Sequence, residues 1–347
     1  MRILPWSFAL MVSRMSLLWR ILGLGLVFAT TAWAEAAPGT VTPDPPTWLP
    51  RAPQTVLRVL SWNVERAFIE RNAGFQRVLR AIDADVLILD EMAPGLSAER
   101  IVAAMPPHPQ PWQAVYGSGG GPHQRASIVS THALHHLPAF DHLAYPEARY
   151  EAWLSIVPAQ AQARARATLD AGVAAVGALV ELDGRRLLVV GLDLQCCGTT
   201  ADGVEEERRR FEARAIRTAI DDIARTTALD AIVVGGDFNA VQGPAPVDLL
   251  RQAPEAAHEL AAVEAGHRGH AVDWTWSGEG TPFPSSRLDF ILHSNALVPL
   301  QAQVFDSEDL DHATRKAMGI DTRTSQALSP HRPVVVDFDW RAPPASR

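Results

Sequence analysis

Cysteine is almost missing from this chain: there are two, and they are neighbours, Cys196 and Cys197. Adjacent cysteines bridge only through a strained ring, and a domain of this size buries enough apolar surface to need no disulfide framework. The C-x-x-C spacing of thiolate zinc sites is missing too, so the pair reads as two free, buried thiols. Lysine is scarcer still. Lys316 is the only one, and Lys plus Arg total 31 against 39 Asp plus Glu, for a formal charge of -8. That balance argues against broad, sequence-independent nucleic-acid binding, which works by neutralising phosphates with Lys and Arg. It leaves open a local basic groove or a small phosphorylated substrate. Beyond Ala34 no apolar run is long enough to cross a membrane, and no repeat or Gly/Ser hinge divides the chain.

The amino-terminal stretch has a different character. Arg2, Arg14 and Arg20 stand among apolar residues, the apolar run Ile21–Ala29 follows, and Thr30–Ala34 ends in an A-x-A-like pattern. Charged, apolar and small residues in this order make a secretory signal. Residues 1–34 are read as that signal, with Met1 or Met15 as the start and an uncleaved anchor as the alternative. The protein is therefore expected to be exported, periplasmic or secreted, and more acidic once the three arginines are removed. Residues 35–54, rich in Pro, Thr and Ala, read as an extended linker. Residues 55–340 read as one domain and 341–347 as a tail.

Within the domain, apolar periodicity switches between strand and helix. Val56–Glu65 alternates and is β-rich, Phe75, Val78, Leu79 and Ile82 follow helical spacing, and Asp85–Met92 is a strand closed by acids. Trp112–Tyr116 and Arg125–Ser130 read as a hairpin pair about a flexible surface loop, Gly117–Gly121. That loop lacks the Lys-Ser/Thr of a phosphate-binding loop. His135, His136, Asp141 and His142 have no regular ligand spacing and read as exposed loop residues. Ala159–Ala167 reads as a surface segment. Val173–Glu181 and Arg186–Leu194 form a hairpin about Asp183-Gly184.

The longest helix runs from about Asp202 to Leu229, with Val204, Phe211, Ala215, Ile216, Ala219 and Ile223 on one face. Arg208–Arg210 lie one turn from Glu205–Glu207, which predicts a salt-bridged solvent face. Ala231–Val234 is a buried strand, after which Gly235 and Gly236 are expected to turn the backbone. Arg287–His293 and Val334–Phe338 supply further strands. About ten strands and at least three helices, with hairpins and crossovers mixed, predict an α/β fold: a four-layered sandwich of two mixed β-sheets flanked by helices.

Polar residues gather where these strands end: Asn63 and Glu65, Glu91, Asp193, Asp237 and Asn239, Asp289, and His331 within Ser-Pro-His-Arg-Pro. Side chains two apart in extended chain point the same way, so Asp237 and Asn239 are expected to project together. The alternative for such a pair is an Asx-turn bonding nearby backbone. In this order the motifs resemble the endonuclease/exonuclease/phosphatase superfamily, from about Val56 to Phe338. Gly-Asp-Phe-Asn and the terminal Ser-x-His-x-Pro are the most specific pieces.

The resemblance implies a hydrolase acting on phosphate esters by metal-assisted water attack. Hard Mg²⁺, with Mn²⁺ as the alternative, prefers the oxygen ligands available here. Glu91 would be the principal metal ligand, supported by Asn63 and Glu65. Asp237 would orient or deprotonate the water, Asn239 would hold a phosphoryl oxygen, and His331, oriented by Asp289, would face the phosphate as a cation. Two departures stand out: Pro330 replaces the acid common before the final His, and Asp193 stands where a His is common. Asp193 is read as a catalytic residue, either leaving-group acid or extra metal ligand. Trp276 and Arg287 are expected to border the substrate cleft, with Trp276 stacking on a base. The substrate is a phosphodiester, nucleic acid being favoured over a lipid or small-molecule phosphate. A catalytically weakened binding module is the alternative of another class. No obligate protein partner is readable, and a monomer is expected.

Overall fold

A computed structural model describes residues 48–65, 72–92, 95–121 and 124–342. The chain divides into two units, Met1–Asp44 and Pro45–Arg347, and every described residue belongs to the second. The residues read as a signal with its cleavage site, and most of those read as a linker, lie outside the described residues. The chain runs β1 (Leu57–Asn63), α1 (Ala73–Ile82), β2 (Val86–Asp90), α2 (Ala98–Ala104), β3 (Gln113–Tyr116), β4 (Ser127–Ser130) and β5 (Ala133–His136). Helices α3 (Tyr150–Leu154) and α4 (Gln162–Asp170) precede the hairpin of β6 (Ala175–Leu182) and β7 (Arg185–Asp193). Next come α5 (Val204–Thr226), β8 (Ala231–Asp237), α6 (Ala245–Arg251), β9 (Leu260–Ala262) and β10 (Gly266–His267). Last are β11 (Asp289–Ser294), β12 (Leu297–Val304), α7 (His312–Met318), α8 (Thr324–Leu328) and β13 (Val334–Trp340). No helix among the described residues is long and apolar enough to cross a membrane.

Among the described residues thirteen strands form two sheets, of seven in the order β10-β12-β13-β1-β2-β4-β3 and six in the order β5-β6-β7-β8-β11-β9. Both are mixed: β1–β2 and β7–β8 are parallel among antiparallel neighbours. Alternation along the strands builds the layers. Val59 and Ile88 of one sheet meet Val189, Val233 and Ile291 of the other in the central core. The opposite parity, Leu60, Trp62, Leu87 and Leu89, packs under Phe75, Val78 and Ile82 of α1. On the far side Val190, Ile232 and Val234 pack under Ile216 and Ile220 of α5. This is the expected four-layered sandwich.

Several local expectations need correction. Gly235 and Gly236 do not turn the chain, because β8 continues through them to Asp237. They admit close approach instead. A Cβ on Gly235 would lie 2.8 Å from Ile88 Cδ1 of the facing sheet, and one on Gly236 (φ 139°) would lie 1.9 Å from the Leu192 carbonyl oxygen. The loop Gly117–Gly121 is mostly buried, packed on Val173 and Ala174, rather than a surface loop. His135 and His136 lie on β5, exposed, beside Glu181 and Asp141 respectively.

The predicted solvent face of α5 is turned inward at its start. Glu206, Arg209 and Glu212 are buried, because the first turns clamp the chain that leaves β7. Gln195 N–H donates to Glu212 Oε2 (2.6 Å), and the Arg209 guanidinium donates to the carbonyls of Gln195 (2.9 Å) and Cys197 (2.5 Å). Cys196 and Cys197 are free, as expected, but exposed. Residues 48–54, read as the end of the linker, pack on the domain. Trp48 is buried edge-on to Phe305. The Leu49 carbonyl accepts from buried Arg58, and Ala52 N–H donates to Asp337.

Candidate active site

Strand parity decides which polar side chains meet. In β7, β8 and β11 the residues facing the central core are Val189, Val233 and Ile291, and the same parity brings Asp193, Asp237 and Asp289 to that face. Register sets them side by side, Asp193 against Asp237 and Asp237 against Asp289. From the facing sheet, the parity of Val59 and Ile88 brings in Asn63 and Asp90, themselves register partners. Two sheet ends therefore close on one another with polar side chains inside.

The contacts are specific. His331 Nδ1 lies 2.9 Å from Asp289 Oδ2, and its Nε2 lies 3.8 Å from Asp237 Oδ2. Asn63 Nδ2 donates to Asp237 Oδ2 (3.1 Å) and, more weakly, to Glu91 Oε1 (3.4 Å). Thus Asn63 turns its nitrogen to the carboxylates, and ligating a cation requires its amide to turn over. Glu65 is exposed, and its N–H bonds Asn63 Oδ1 at 2.8 Å. Asn239 N–H bonds Asp237 Oδ1 at 2.8 Å, while its Nδ2 donates to the Leu194 carbonyl at 2.9 Å. The Asx-turn and the site are therefore not alternatives: a side chain with two polar atoms serves both. Glu65, Glu91 and Asn239 all adopt positive φ (43°, 48° and 46°), and strained backbone of this kind is concentrated at functional sites.

Burial and crowding set the protonation states. Burial and the Asp289 charge raise Asp237 to about 7, against the opposing pull of His331. Burial alone would lower His331, but Asp289, Asp237 and Glu91 outweigh it and raise the imidazole to about 9. Burial and neighbouring carboxylates push Asp193 and Asp90 well above the usual carboxylate range.

Three residues of the site were not singled out from the sequence. Asp90 is fully buried with neither oxygen hydrogen-bonded. Thr275 Oγ1 donates to Asp289 Oδ2 (2.6 Å) and accepts from the N–H groups of Leu288 and Asp289, fixing the carboxylate that orients His331. Ser329 Oγ donates to the Asn63 carbonyl (2.8 Å) and accepts from His331 N–H (3.0 Å), tying the end of β1 to the segment that enters β13. Trp62 Nε1 adds a bond to the His331 carbonyl at 3.1 Å.

Of the two residues expected at the substrate cleft, Trp276 is half-buried and its backbone bridges Ser286 and His331. Arg287 stands apart. Its guanidinium pairs with Glu264 (2.7 Å), donates to the Val263 carbonyl (2.6 Å) and lies over Phe290, contacts at the β9 edge of the sheet.

Two groups of side chains place one donor atom each within 4.8 Å of one another: Asp237, Asp289 and His331, and Asp90, Asp193 and Asp237. Asp90, Asp193 and Asp289 all have carboxylate oxygens without hydrogen-bond partners. An oxygen-rich set with unsatisfied donors fits a hard divalent cation.

The endonuclease/exonuclease/phosphatase family profile matches residues 60–325. Comparison with curated proteins gives no match. A family protein from Leptotrichia buccalis shares the fold with a TM-score of 0.50 at 12% identity, over 82% of this chain and 99% of that one. A mannosyl-6-phosphatase from Bacteroides thetaiotaomicron gives 0.50 at 14%, over 81% and 99%. A Neisseria 3′ phosphatase solved with a product DNA hairpin gives 0.47 at 18%, over 82% and 100%. At 12% and 14% identity the likeness to the Leptotrichia and Bacteroides proteins is one of fold. The family match over most of the domain, on a site of the required composition, is decisive: the chain belongs to the endonuclease/exonuclease/phosphatase family, whose members hydrolyse phosphate esters.

Proposed function

We propose that the protein is an exported, divalent-metal-dependent phosphodiesterase that hydrolyses its substrate by direct attack of water. The observation that carries this reading is the His331 imidazole, bound to Asp289 through one nitrogen and turned toward Asp237 through the other. Raised to about 9, His331 is a cation at neutral pH and stabilises negative charge developing on a phosphoryl oxygen. Asp237, at about 7, is poised as the base that takes the water's proton. Asn239 keeps a second amide N–H for the phosphate. Asp193 supplies a buried acid for the leaving oxygen. Glu91, with Asn63 and Glu65 beside it, would hold the cation, Mg²⁺ being the first choice; bound there it would supply charge stabilisation at the phosphate.

Nucleic acid is the first substrate in this reading, with Trp276 beside His331 offering a stacking face. A lipid or small-molecule phosphodiester is the second, favoured by the charge of -8 and the single lysine. A panel of plasmid DNA, single-stranded DNA, sphingomyelin, inositol phosphates and bis-p-nitrophenyl phosphate separates them. The expected result is metal-dependent cleavage of DNA. Turnover of lipid alone would replace the substrate, and inactivity on every member by folded, metal-loaded protein would favour a binding module. The export proposal rests on residues 1–34 and is checked by the amino-terminal sequence of the mature protein, expected to begin near Glu35.

A further inference from the structure

The chain that leaves β7 carries the two cysteines, a pair that the phosphoesterase reading does not use. Cys196 and Cys197 are exposed, and their sulfurs lie 2.9 Å apart. They follow Asp193 closely and stand at the rim of the site. Anchors hold this loop on both sides. The Leu194 carbonyl accepts from Asn239 Nδ2 (2.9 Å) and the Gly198 carbonyl from Gln242 Nε2 (2.9 Å). The buried Arg209 guanidinium donates to the carbonyls of Gln195 (2.9 Å) and Cys197 (2.5 Å). Cys197 and Gly198 both have positive φ (70° and 98°), a bend that a residue with a side chain keeps only where its surroundings hold it.

Two thiols already fixed in contact need little further ordering to bond, so the fold supplies in advance the entropy that ring closure otherwise costs. The hydrogen bond with Cys196 and the Arg209 charge bring Cys197 down to about 7, which leaves much of it as thiolate, the form that attacks a disulfide. Consecutive Cα atoms stand only about 3.8 Å apart, short of the usual span of a disulfide, so the ring is strained and readily reduced.

We propose that Cys196 and Cys197 form a reversible disulfide between neighbours, a modification site at the rim of the cleft whose oxidant is a low-molecular-weight disulfide. The Cys197 thiolate attacks one sulfur of the oxidant and expels a thiolate, leaving a mixed disulfide. Cys196 gives up its proton, attacks the Cys197 sulfur and expels the second thiolate. Two electrons pass to the oxidant, and the two protons of the protein thiols end on the released thiols. This chemistry is independent of the phosphoesterase reading. Export would carry the pair into an oxidising compartment, where such bonds form.

The test incubates the reduced full chain with glutathione disulfide, folded or in urea, and blocks the remaining thiols with iodoacetamide. Mass spectrometry of the tryptic peptide Leu187–Arg208 reads the result. Folded wild type is expected to lose both thiols, its peptide lighter by two hydrogen atoms, unalkylated and free of glutathione, and dithiothreitol should restore both. In urea, with the anchors gone, glutathione adducts and alkylated thiols should predominate. Cys196→Ser should hold one glutathione on Cys197, the trapped intermediate. Folded wild type that retains a glutathione or two alkylated thiols overturns the proposal, as does a bond joining two chains on a non-reducing gel. A ring formed equally in urea refutes the part assigned to the loop. The wild-type comparison decides even if Cys196→Ser does not fold. Because thiols are the readout, a ring in a protein inactive on every phosphoester would uphold this site and refute the activity.

Discussion

Strand β1 carries a buried polar residue at each end, and the two ends are opposites. At the start, every guanidinium nitrogen of Arg58 has a partner. Its guanidinium holds both oxygens of Asp337 (2.5 and 2.9 Å) and donates to the carbonyls of Leu49 and Ile82. At the finish, Asn63 faces carboxylates that outnumber their partners, several oxygens having none. Burial is the same at both ends; satisfaction is not. A buried charge with all its partners belongs to the architecture, and one without them awaits a ligand.

The sharpest way to strain this comparison is to remove one charge at the unsatisfied end. Asp237→Asn should lower kcat by about 10²–10⁴-fold, the range for losing a positioned base. Because it also removes a crowded charge, the chelated variant should melt no lower than wild type. A large loss of stability would mean that this end is architecture too.

The converse substitution is Arg58→Met, which leaves Asp337 buried without its cation, held only by Ala52 N–H and Gln301. Breaking a buried pair in this way costs about 3–5 kcal/mol, measurable by urea denaturation, while activity per folded molecule stays at the wild-type level. A cost below about 1 kcal/mol, the range of surface pairs, would erase the distinction between the ends.

pH separates the ends without mutation. Asp237 is raised to about 7 by burial and Asp289, and Asp90 and Asp193 are also raised. The chelated native state therefore binds protons that the unfolded chain releases, and stability falls as pH climbs from about 4 through 7. His331, raised to about 9 despite burial, acts in the same direction, its contribution being lost as pH rises through that value. Asp337 is lowered by Arg58 and its other hydrogen bonds against the effect of burial. Its contribution is present above about 4 and disappears as pH falls through the lowered value. Chelated protein should thus be most stable in mild acid, and saturating Mn²⁺ should flatten the decline toward pH 8. A chelated stability that increases from pH 5 to 8 would contradict the assigned shifts.

The smallest effect is expected at Arg287, part of neither end. Arg287→Ala should cost at most about 1 kcal/mol and leave KM unchanged, since Glu264 and Val263 engage the side chain. A clear rise in KM would restore it to the substrate cleft.

What the sequence made legible follows from geometry. Asp237, Asp289 and His331 each adjoin an apolar run, where the pattern marks the end of a strand, and the structure brings the three together. Asp90 was hidden because Val86-Leu87-Ile88-Leu89 is apolar on both faces. Such a strand does not show which of two consecutive acids points inward; only its register with β1 does. Thr275 was hidden because a hydroxyl that positions a carboxylate has no sequence pattern. The buried charges of α5 were misread since Glu and Arg one turn apart look alike whether they meet water or clamp a loop.

The most direct test of the account is hydrolysis of bis-p-nitrophenyl phosphate by wild type and Asp237→Asn, each stripped with chelator and then resupplied with Mg²⁺ or Mn²⁺. The account predicts no turnover in chelator, recovery with the metal in wild type, and no comparable recovery in the variant although it binds the Glu91 ion. Equal turnover by the variant, or wild-type turnover indifferent to chelation, would contradict it.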